Sequence, residues 1–398
     1  MTTDAALVDL AALGDDFTRD PFPVYAALRA RGPVHHVRMP EGHTAWLVVG
    51  YEAGRAALAD PALSKDWRNI APDLGIFRIS SGVSMLSTDP PVHTRLRRLI
   101  AREFTMRRVE RLAPQVQRIT DDLLDAMLPL GAADLVDAFS FPLPITVIGE
   151  LLGVPFLARD SFRDWSNTAL SSNEQAEREE AANRLTQYLV ELLAQKREQP
   201  GDDLMSGLIH AADTGDDDRL TPEELIGMAW LLLVAGHETT VNLITSGVLA
   251  LLTHPDQLAL LRARPELIDD AVEEMLRWDG PVETPTYRFT TGPYRVGGTT
   301  VPGGGQVVLV AMADANRDPD RFPDPGRFDI TRDARGHLAF GHGIHFCLGA
   351  PLARLEARVA VRSLLERCPD LALDAHPAAL SWRGGMLIRG PERLPVRW

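Results

Sequence analysis

The sequence predicts a mainly α-helical protein with a small β part, folded as one large domain over residues 1–398. Helical periodicity covers most of residues 22–279 and returns near the carboxyl terminus. Between these regions lies a segment rich in Pro, Gly and Thr that contains short apolar runs. The chain has no internal repeat and no long polar linker, which favours a single domain.

The amino-terminal half combines helices with one hairpin. Amphipathic patterns predict helices, in order, at residues 22–32, 51–60, 94–151 (interrupted by Pro142 and Pro144) and 158–198. Two apolar runs within residues 35–50 flank a Glu41-Gly42 turn and predict a hairpin. Residues 61–88 are rich in Pro, Gly and Ser, and we expect a loop there.

The clearest helix start is at Thr221. This residue would be the N-cap, with Pro222 at the first helical position and Glu224 completing a capping box. The helix would run to about Leu252, a length of roughly 45 Å. Its middle is apolar nearly all round, so we expect it to be buried through the centre of the domain.

The carboxyl-terminal part changes in character. Strand-like sequences at 286–290, 294–298 and 306–313 precede a long coil at 315–329, and a helix is predicted at 352–368. The glycine-rich stretch at 297–305 lacks the G-x-G-x-x-G spacing, and no helix follows it. It therefore predicts a β-turn and not a nucleotide site.

Composition excludes several classes of protein. The net charge of −14 disfavours binding to nucleic acid or to anionic membranes. No apolar run reaches the roughly 18 residues that a membrane helix needs, and the amino terminus is acidic where a signal peptide is basic. We therefore expect a cytoplasmic protein with no membrane partner. With two cysteines, Cys347 and Cys368, a disulfide scaffold is also excluded.

The sharpest chemical signal surrounds Cys347, in the sequence FGHGIHFCLGAPLAR. A helix begins just after this cysteine, and the outward N–H groups at a helix start favour a thiolate and lower the thiol pKa. Three glycines flank it and allow the backbone to approach a flat ligand: Gly341, Gly343 and Gly349. The setting suits a cysteinate that donates electron density to a metal.

Two alternatives apply to the same residues. A zinc site could use His342, His345 and Cys347, but this spacing is unusual for zinc and no second ligand pair completes it. A nucleophilic cysteine could use the nearby His345, but no nucleophile elbow or partnered His/Asp pattern supports one.

A second cluster lies on the buried helix, in the sequence AGHETT at 235–240. Glu238 and Thr239 are costly to bury unless they have partners or serve a polar pocket. If they have partners, the threonine hydroxyls would bond to backbone carbonyls one helical turn earlier. If they serve a polar pocket, an acid beside an alcohol can deliver protons, and Gly236 would let a ligand approach the helix.

The cysteine loop resembles the haem-binding loop of the cytochromes P450, which has the pattern F-x-x-G-x-H-x-C-x-G. The similarity extends over essentially the whole chain, and LSKDWRN and VAGHETTVNLI are similar to actinomycete members that hydroxylate macrolides. It implies the fold of that family, haem b as cofactor and Cys347 as axial iron ligand, whose thiolate favours O–O cleavage. Other loop residues would contact the cofactor: Phe340, Gly341, His345 and Gly349.

The resemblance also assigns roles outside the loop. Glu238 and Thr239 match the acid and alcohol of the oxygen-activation motif. Cofactor propionates would be held by four residues: His93, Arg97, Arg288 and His345. The E-x-x-R pair Glu274 and Arg277 would be structural, completed by Arg327 of the coil.

Seven arginines occur between Arg95 and Arg111, which is unusual in an acidic protein. Some would hold the cofactor. The others would face solvent near the cysteine and dock a small acidic ferredoxin, supplied with electrons by a separate ferredoxin reductase.

The expected substrate is an apolar macrolide or polyketide, oxidised with O2. Pocket candidates are Met85, Leu86, Ala235, Val282, Thr286 and Met386. Family members that take aminosugar macrolides have acids in the loop matching residues 74–88, whereas this loop has none and contains Arg78. We therefore expect a neutral or acidic substrate. Two other functions remain: a peroxide-driven or non-oxygenating haem-thiolate enzyme, and a haem sensor without turnover.

Overall fold

The fold was analysed in a computed structural model. The structure describes residues 7–74, 82–101, 104–154, 162, 164–166, 168–169, 175–214 and 219–398. Arg78, most of the loop around it and Arg102 lie outside the described residues, as does most of the first helix expected after residue 158.

The structure consists mainly of helices, with short strands between them. The helices are α1 Gly14–Arg19, α2 Phe22–Arg31, α3 Tyr51–Ala59, α4 Val92–Ala101, α5 Met106–Met127, α6 Pro142–Leu152, α7 Gln175–Glu198, α8 Leu204–Thr214, α9 Pro222–Thr253, α10 Pro255–Ala263, α11 Ile268–Asp279, α12 Met312–Ala315 and α13 Ala350–Arg367. The strands are β1 Val8–Asp9, β2 Val34–Arg38, β3 Thr44–Val48, β4 Leu63–Ser64, β5 Ala132–Asp134, β6 Arg288–Thr290, β7 Tyr294–Val296, β8 Thr299–Val301, β9 Val307–Val310, β10 Ala372–Leu373 and β11 Pro395–Arg397. The mainly α fold class with a small β part is confirmed.

Helix α9 forms the centre of the helical part. It starts with the predicted capping box, in which the Thr221 side chain accepts from Glu224 N–H and the Glu224 side chain accepts from Thr221 N–H. Helices α6, α11 and α13 pack around it, because most of its surface is apolar. Close approach requires glycine on α9: a Cβ on Gly247 would lie 2.6 Å from the sulfur of Met275.

A six-stranded sheet in the order β1-β2-β3-β9-β6-β4 forms the β part. The predicted hairpin is β2-β3, with His36 opposite Trp46. Strand β9 joins β3 in parallel, which places Arg288 of β6 two strands away from the hairpin. Smaller sheets are β10-β11-β5 and the β7-β8 hairpin at the glycine-rich turn. Strand β5, which pairs with the carboxyl-terminal strand β11, was not predicted, since the sequence suggested helix there.

The long coil after α12 is clamped to α11 by a buried ion pair. The guanidinium of Arg277 contacts both carboxylate oxygens of Glu274, at 2.6 and 2.7 Å, and both side chains are 0% exposed. Arg277 also donates to the carbonyls of Asn316 and Pro325, each at 3.0 Å. The pair therefore fixes the coil that leads into the cysteine loop.

The prediction that Arg327 completes this pair is wrong. Its side chain is 65% exposed and lies 3.7 Å from Asp329, and only its carbonyl faces Arg277. The third arginine is Arg332, whose guanidinium lies 3.6 Å from Glu274 and is mostly buried. A turn before Arg327 directs its side chain to solvent, and such a reversal cannot be read from spacing.

Candidate active site

The loop that carries Cys347 is held open by positive backbone angles. Gly341 and Gly343 have φ of 72° and 76°, a region that side chains other than glycine rarely adopt. A Cβ on Gly343 would also lie 2.9 Å from Cα of Ala59, so this glycine packs the loop against α3. The N–H of Cys347 donates to the Phe340 carbonyl at 2.9 Å and closes the loop.

Phe340 is fixed by charged neighbours. The guanidinium of Arg354 lies over its ring, 4.5 Å from the centroid, and the His337 ring is 5.9 Å away. Arg354 and His337 both contact Glu273 of α11. Although burial opposes ionisation, the hydrogen bonds from His337 and Arg354 lower the pKa of Glu273 to about 2. This network ties the cysteine loop to the same helix that anchors the coil.

Cys347 is exposed to solvent, as are its neighbours Ile344 and Phe346 in the same loop. Open space therefore adjoins the sulfur. Burial by the surrounding protein raises the pKa of the thiol, and the N–H groups of Gly349 and Ala350 together with Arg97 oppose this rise without reversing it. The expectation of a lowered thiol pKa is corrected, because the loss of hydration outweighs the helix start. Binding of a cation, such as a metal, would favour the thiolate.

Two histidines and two arginines gather beside the loop. The rings of His93 and His345 lie 4.4 Å apart, and Arg97 donates to the Phe346 carbonyl at 2.7 Å. Arg288 is 3% exposed and donates to the Leu58 carbonyl at 2.9 Å. The four predicted propionate ligands thus lie in one cluster, from α4, β6 and the cysteine loop.

Positive charges outnumber negative ones here, because Lys65, Arg97 and Arg288 lie near one carboxylate, Asp89. Burial and the neighbouring charges of Lys65, His93, Arg288 and Arg97 lower the pKa of His345 to about 2. Neither ring nitrogen of the buried His93 makes a hydrogen bond to a described residue, although the Ile344 carbonyl lies beside it. Such an excess of cations fits a ligand with carboxylates.

Ala235 of α9 is a further residue of the site, outside the cysteine loop. It is exposed, although it lies in the middle of the otherwise buried helix α9. One turn later the Thr239 hydroxyl donates to the Ala235 carbonyl at 3.0 Å. Gly236 does not open the helix to a ligand as expected, because a Cβ there would lie 2.9 Å from the side chain of Ile148. The glycine instead allows α6 to pack against α9.

Glu238 lies in a polar network that the sequence did not predict. Its carboxylate is 2.8 Å from the guanidinium of Arg383 and 3.4 Å from Nε2 of His237. The same His237 nitrogen lies 3.3 Å from the Ser166 hydroxyl. Arg383 precedes the Gly384-Gly385 pair in the loop that contains Met386. A buried carboxylate requires such partners. The sequence could therefore have indicated that Glu238 pairs with a basic residue, although not that the residue is Arg383.

The predicted pocket residues fall into two groups. Leu86, Val282 and Thr286 are half-buried, and with Ala235 they keep surface that a ligand can contact. Met85 is 9% exposed and packs in the helical core. Met386 is 1% exposed and packs in the cluster beneath the sheet with Phe289 and Leu309, so its assignment to an open pocket is corrected.

The described residues also decide between the alternatives for Cys347. Among them, no three His, Cys, Asp or Glu side chains are grouped closely enough to hold a metal ion, which removes the zinc site at His342, His345 and Cys347. A nucleophilic pair with His345 is disfavoured as well, since a histidine with a pKa of about 2 is a very weak base.

Comparison with known proteins identifies the family. The family description "Cytochrome P450" matches residues 145–374. The cytochrome P450 monooxygenase PikC of Streptomyces venezuelae is 59% identical over 399 residues, covering 100% of this chain and 95% of PikC. The chain belongs to the cytochrome P450 family. It is therefore an oxidoreductase of the monooxygenase type, and family membership implies a haem cofactor.

Other cytochromes P450 are similar to this chain over nearly its full length. The 6-deoxyerythronolide B hydroxylase of Saccharopolyspora erythraea is 47% identical, covering 96% of this chain and 97% of that enzyme. The solved structure of the tirandamycin C-bound P450 monooxygenase TamI superposes with a TM-score of 0.91 at 45% identity, covering 98% and 99% of the two chains. Within the described residues, the P450 chain has no helix long and apolar enough to cross a bilayer.

Proposed function

We propose that this cytochrome P450 contains haem b and hydroxylates, or epoxidises, an apolar natural product of the macrolide or polyketide class with O2. The observation that carries the proposal is the accessible thiol of Cys347 just before α13, beside a cluster in which cations outnumber carboxylates. We also propose that residues 1–398 act as one domain in the cytoplasm, with electrons from a separate ferredoxin and ferredoxin reductase.

The cofactor would be held at two places. Cys347 would bind the iron and release its proton in doing so, because burial keeps the unbound thiol neutral. His93, Arg97, Arg288 and His345 would bind the propionates by charge-assisted hydrogen bonds. When bound, the haem supplies activation of O2 at an iron whose thiolate ligand favours O–O cleavage.

Protons would be handled on α9. The Thr239 hydroxyl adjoins open space beside Ala235 and can rotate from the Ala235 carbonyl toward a bound species. Glu238 would resupply its proton after separating from Arg383. His237 lies between Glu238 and Ser166 and offers a route for that proton through the buried region.

The carbon monoxide spectrum of the reduced holoprotein tests the thiolate. We expect the red-shifted Soret peak of thiolate ligation in the wild type and in Cys368→Ser, since Cys368 is a buried thiol at the end of α13. Cys347→Ser should lose this peak. The proposal is wrong if Cys347→Ser keeps it or if the wild type never shows it.

The substrate class rests on charge as well as on the relatives. The loop at 74–88 has no acid, and the Glu238 carboxylate already contacts Arg383 and His237. An ammonium group on a substrate would have to displace Arg383 to pair with it. We therefore expect an aglycone to bind at least as tightly as its aminosugar derivative in spectral titrations. An aminosugar macrolide that binds tenfold more tightly would contradict this.

The ferredoxin would dock on the exposed arginines of α5. Arg107 and Arg111 are exposed on its first turns, in a protein whose net charge is otherwise negative. Charge reversal of both residues should raise the KM for ferredoxin several-fold at low salt, with a smaller effect at high salt. Arg295→Glu, on the exposed side of the β7-β8 hairpin, is the matched control. Equal effects of both changes would argue against docking on α5.

Turnover separates this function from the other two. With ferredoxin, reductase and O2, the P450 should form product faster than with peroxide alone. Product from peroxide only would support a peroxide-driven enzyme, and ligand binding without product under either condition would support a sensor.

A further inference from the structure

A buried lysine adjoins the cationic cluster and has no part in the assignments above. Lys65 is 3% exposed and follows strand β4. Its ammonium donates to the carbonyls of Thr286 and Tyr287, each at 2.8 Å, and to the Thr286 hydroxyl. Among the described residues, no carboxylate forms an ion pair with it. A buried ammonium without a carboxylate partner is costly and needs a compensating charge.

Within the part of the chain that the structure describes, Asp89 is the carboxylate that favours the charged form of Lys65. One oxygen of Asp89 accepts from the backbone N–H of Lys65 at 2.9 Å and the other accepts from the Ser64 hydroxyl, so Asp89 lies close to Lys65 but forms no ion pair with its ammonium. Burial and the nearby Arg288 lower the pKa of Lys65 well below its usual value. Lys65 therefore lies near Arg288, one of the proposed propionate ligands.

Lys65 also fixes the backbone that presents Arg288. The two carbonyls it binds belong to the residues immediately before that arginine, at the start of β6. Thr286 is half-buried and is one of the pocket candidates. The lysine therefore contacts the segment that carries both a proposed propionate ligand and a proposed pocket residue.

We propose that Lys65 is a positioning residue of the cofactor site, whose charge favours the ionised carboxylates of the cofactor and whose hydrogen bonds hold Thr286 and Arg288 in place. The inference depends on the haem proposed above. It predicts that the charge of Lys65, and not only its packing, slows the loss of haem from the holoenzyme.

Haem transfer to an excess of a scavenger protein measures this loss. Lys65→Met removes the charge and keeps the volume, so haem should leave about tenfold faster, as expected for one charge-assisted interaction. Lys65→Arg keeps the charge in a larger side chain, so it should lose haem more slowly than Lys65→Met. Lys196→Met is the matched control, because Lys196 is also a buried lysine but pairs with Asp203 between α7 and α8. It should not change the rate.

Holoproteins from haem-auxotrophic cells fed with haem dimethyl ester give the second measurement. The ester lacks ionised carboxylates, so Lys65→Met should lose it no faster than the wild type. The inference is overturned if Lys65→Met increases the rates of loss of haem and of its ester by the same factor. It is also overturned if Lys65→Arg and Lys65→Met lose haem at the same rate. If the cells incorporate no ester, the haem comparison of Met with Arg decides alone.

Two further outcomes are distinguishable. If Lys65→Met does not fold, Lys65→Gln keeps donors for the carbonyls without charge and replaces it in every comparison. A wild-type protein that holds no haem would overturn the proposed function itself, whereas normal haem content with unchanged loss in Lys65→Met would overturn only the role of Lys65.

Discussion

Replacing Glu274 with Gln should destabilise the protein more than any other single change in the coil anchor. The substitution removes the charge that the buried guanidinium of Arg277 contacts at 2.6 and 2.7 Å. It also weakens the bond from Asp329 N–H to the carboxylate, at 2.9 Å. The carbonyls of Asn316 and Pro325 still accept from Arg277, so the arginine is not wholly unpartnered. Breaking such a pair costs about 3–5 kcal/mol.

For a chain of 398 residues this corresponds to a Tm about 4–6 °C lower. Urea and thermal unfolding of the variants, side by side, provide the measurement. Arg327→Ala is the control, because its exposed side chain should contribute less than about 0.5 kcal/mol, and Arg332→Ala should lie between the two. The reasoning is refuted if Glu274→Gln shifts Tm by less than about 1 °C or if Arg327→Ala equals it. Folded Glu274→Gln should keep its carbon monoxide spectrum, since neither residue touches Cys347.

Three further outcomes are expected. Thr239→Val should lower the product formed per reductant consumed, while Thr239→Ser retains it. Little change in Tm is expected, because the hydroxyl bond found among the described residues is to the Ala235 carbonyl of its own helix. Burial raises the pKa of Glu283 to about 7, so this group stabilises the fold below pH 4.5 and loses that contribution as pH rises through 7. Glu283→Gln should therefore raise Tm relative to wild type at pH 8 but not at pH 5, with an upper limit of about 3 kcal/mol. Glu273 shows the opposite pH dependence. Although burial raises its pKa, His337 and Arg354 lower it to about 2. Its contribution to the free energy of unfolding is therefore present above pH 4.5 and is lost as the pH falls toward 2. Glu273→Gln should cost about 2 kcal/mol at pH 7 and much less at pH 3, and an unchanged difference across that range would contradict the assignment.

Features that depend on neighbours in the chain were predictable. The capping box at Thr221 and the hairpin around Glu41 require only residues within a few positions of one another. The cysteine loop was also predictable, because Gly341, Gly343 and Cys347 lie within one short segment before a helix. Local hydrogen bonds and backbone angles determine such elements, so the residue order is sufficient to recognise them.

The sequence by itself determined the mainly α fold class, the thiol that would bind iron, and the acid and alcohol on α9. Only the tertiary structure decided which charged side chains are buried together. Lys65 contacts Thr286 across 221 positions, Arg383 reaches Glu238 from the last loop, and Arg332 takes the place expected for Arg327. The raised thiol pKa of Cys347 has the same origin. Desolvation and long-range pairing depend on what surrounds a group in space, and the local sequence does not carry that information.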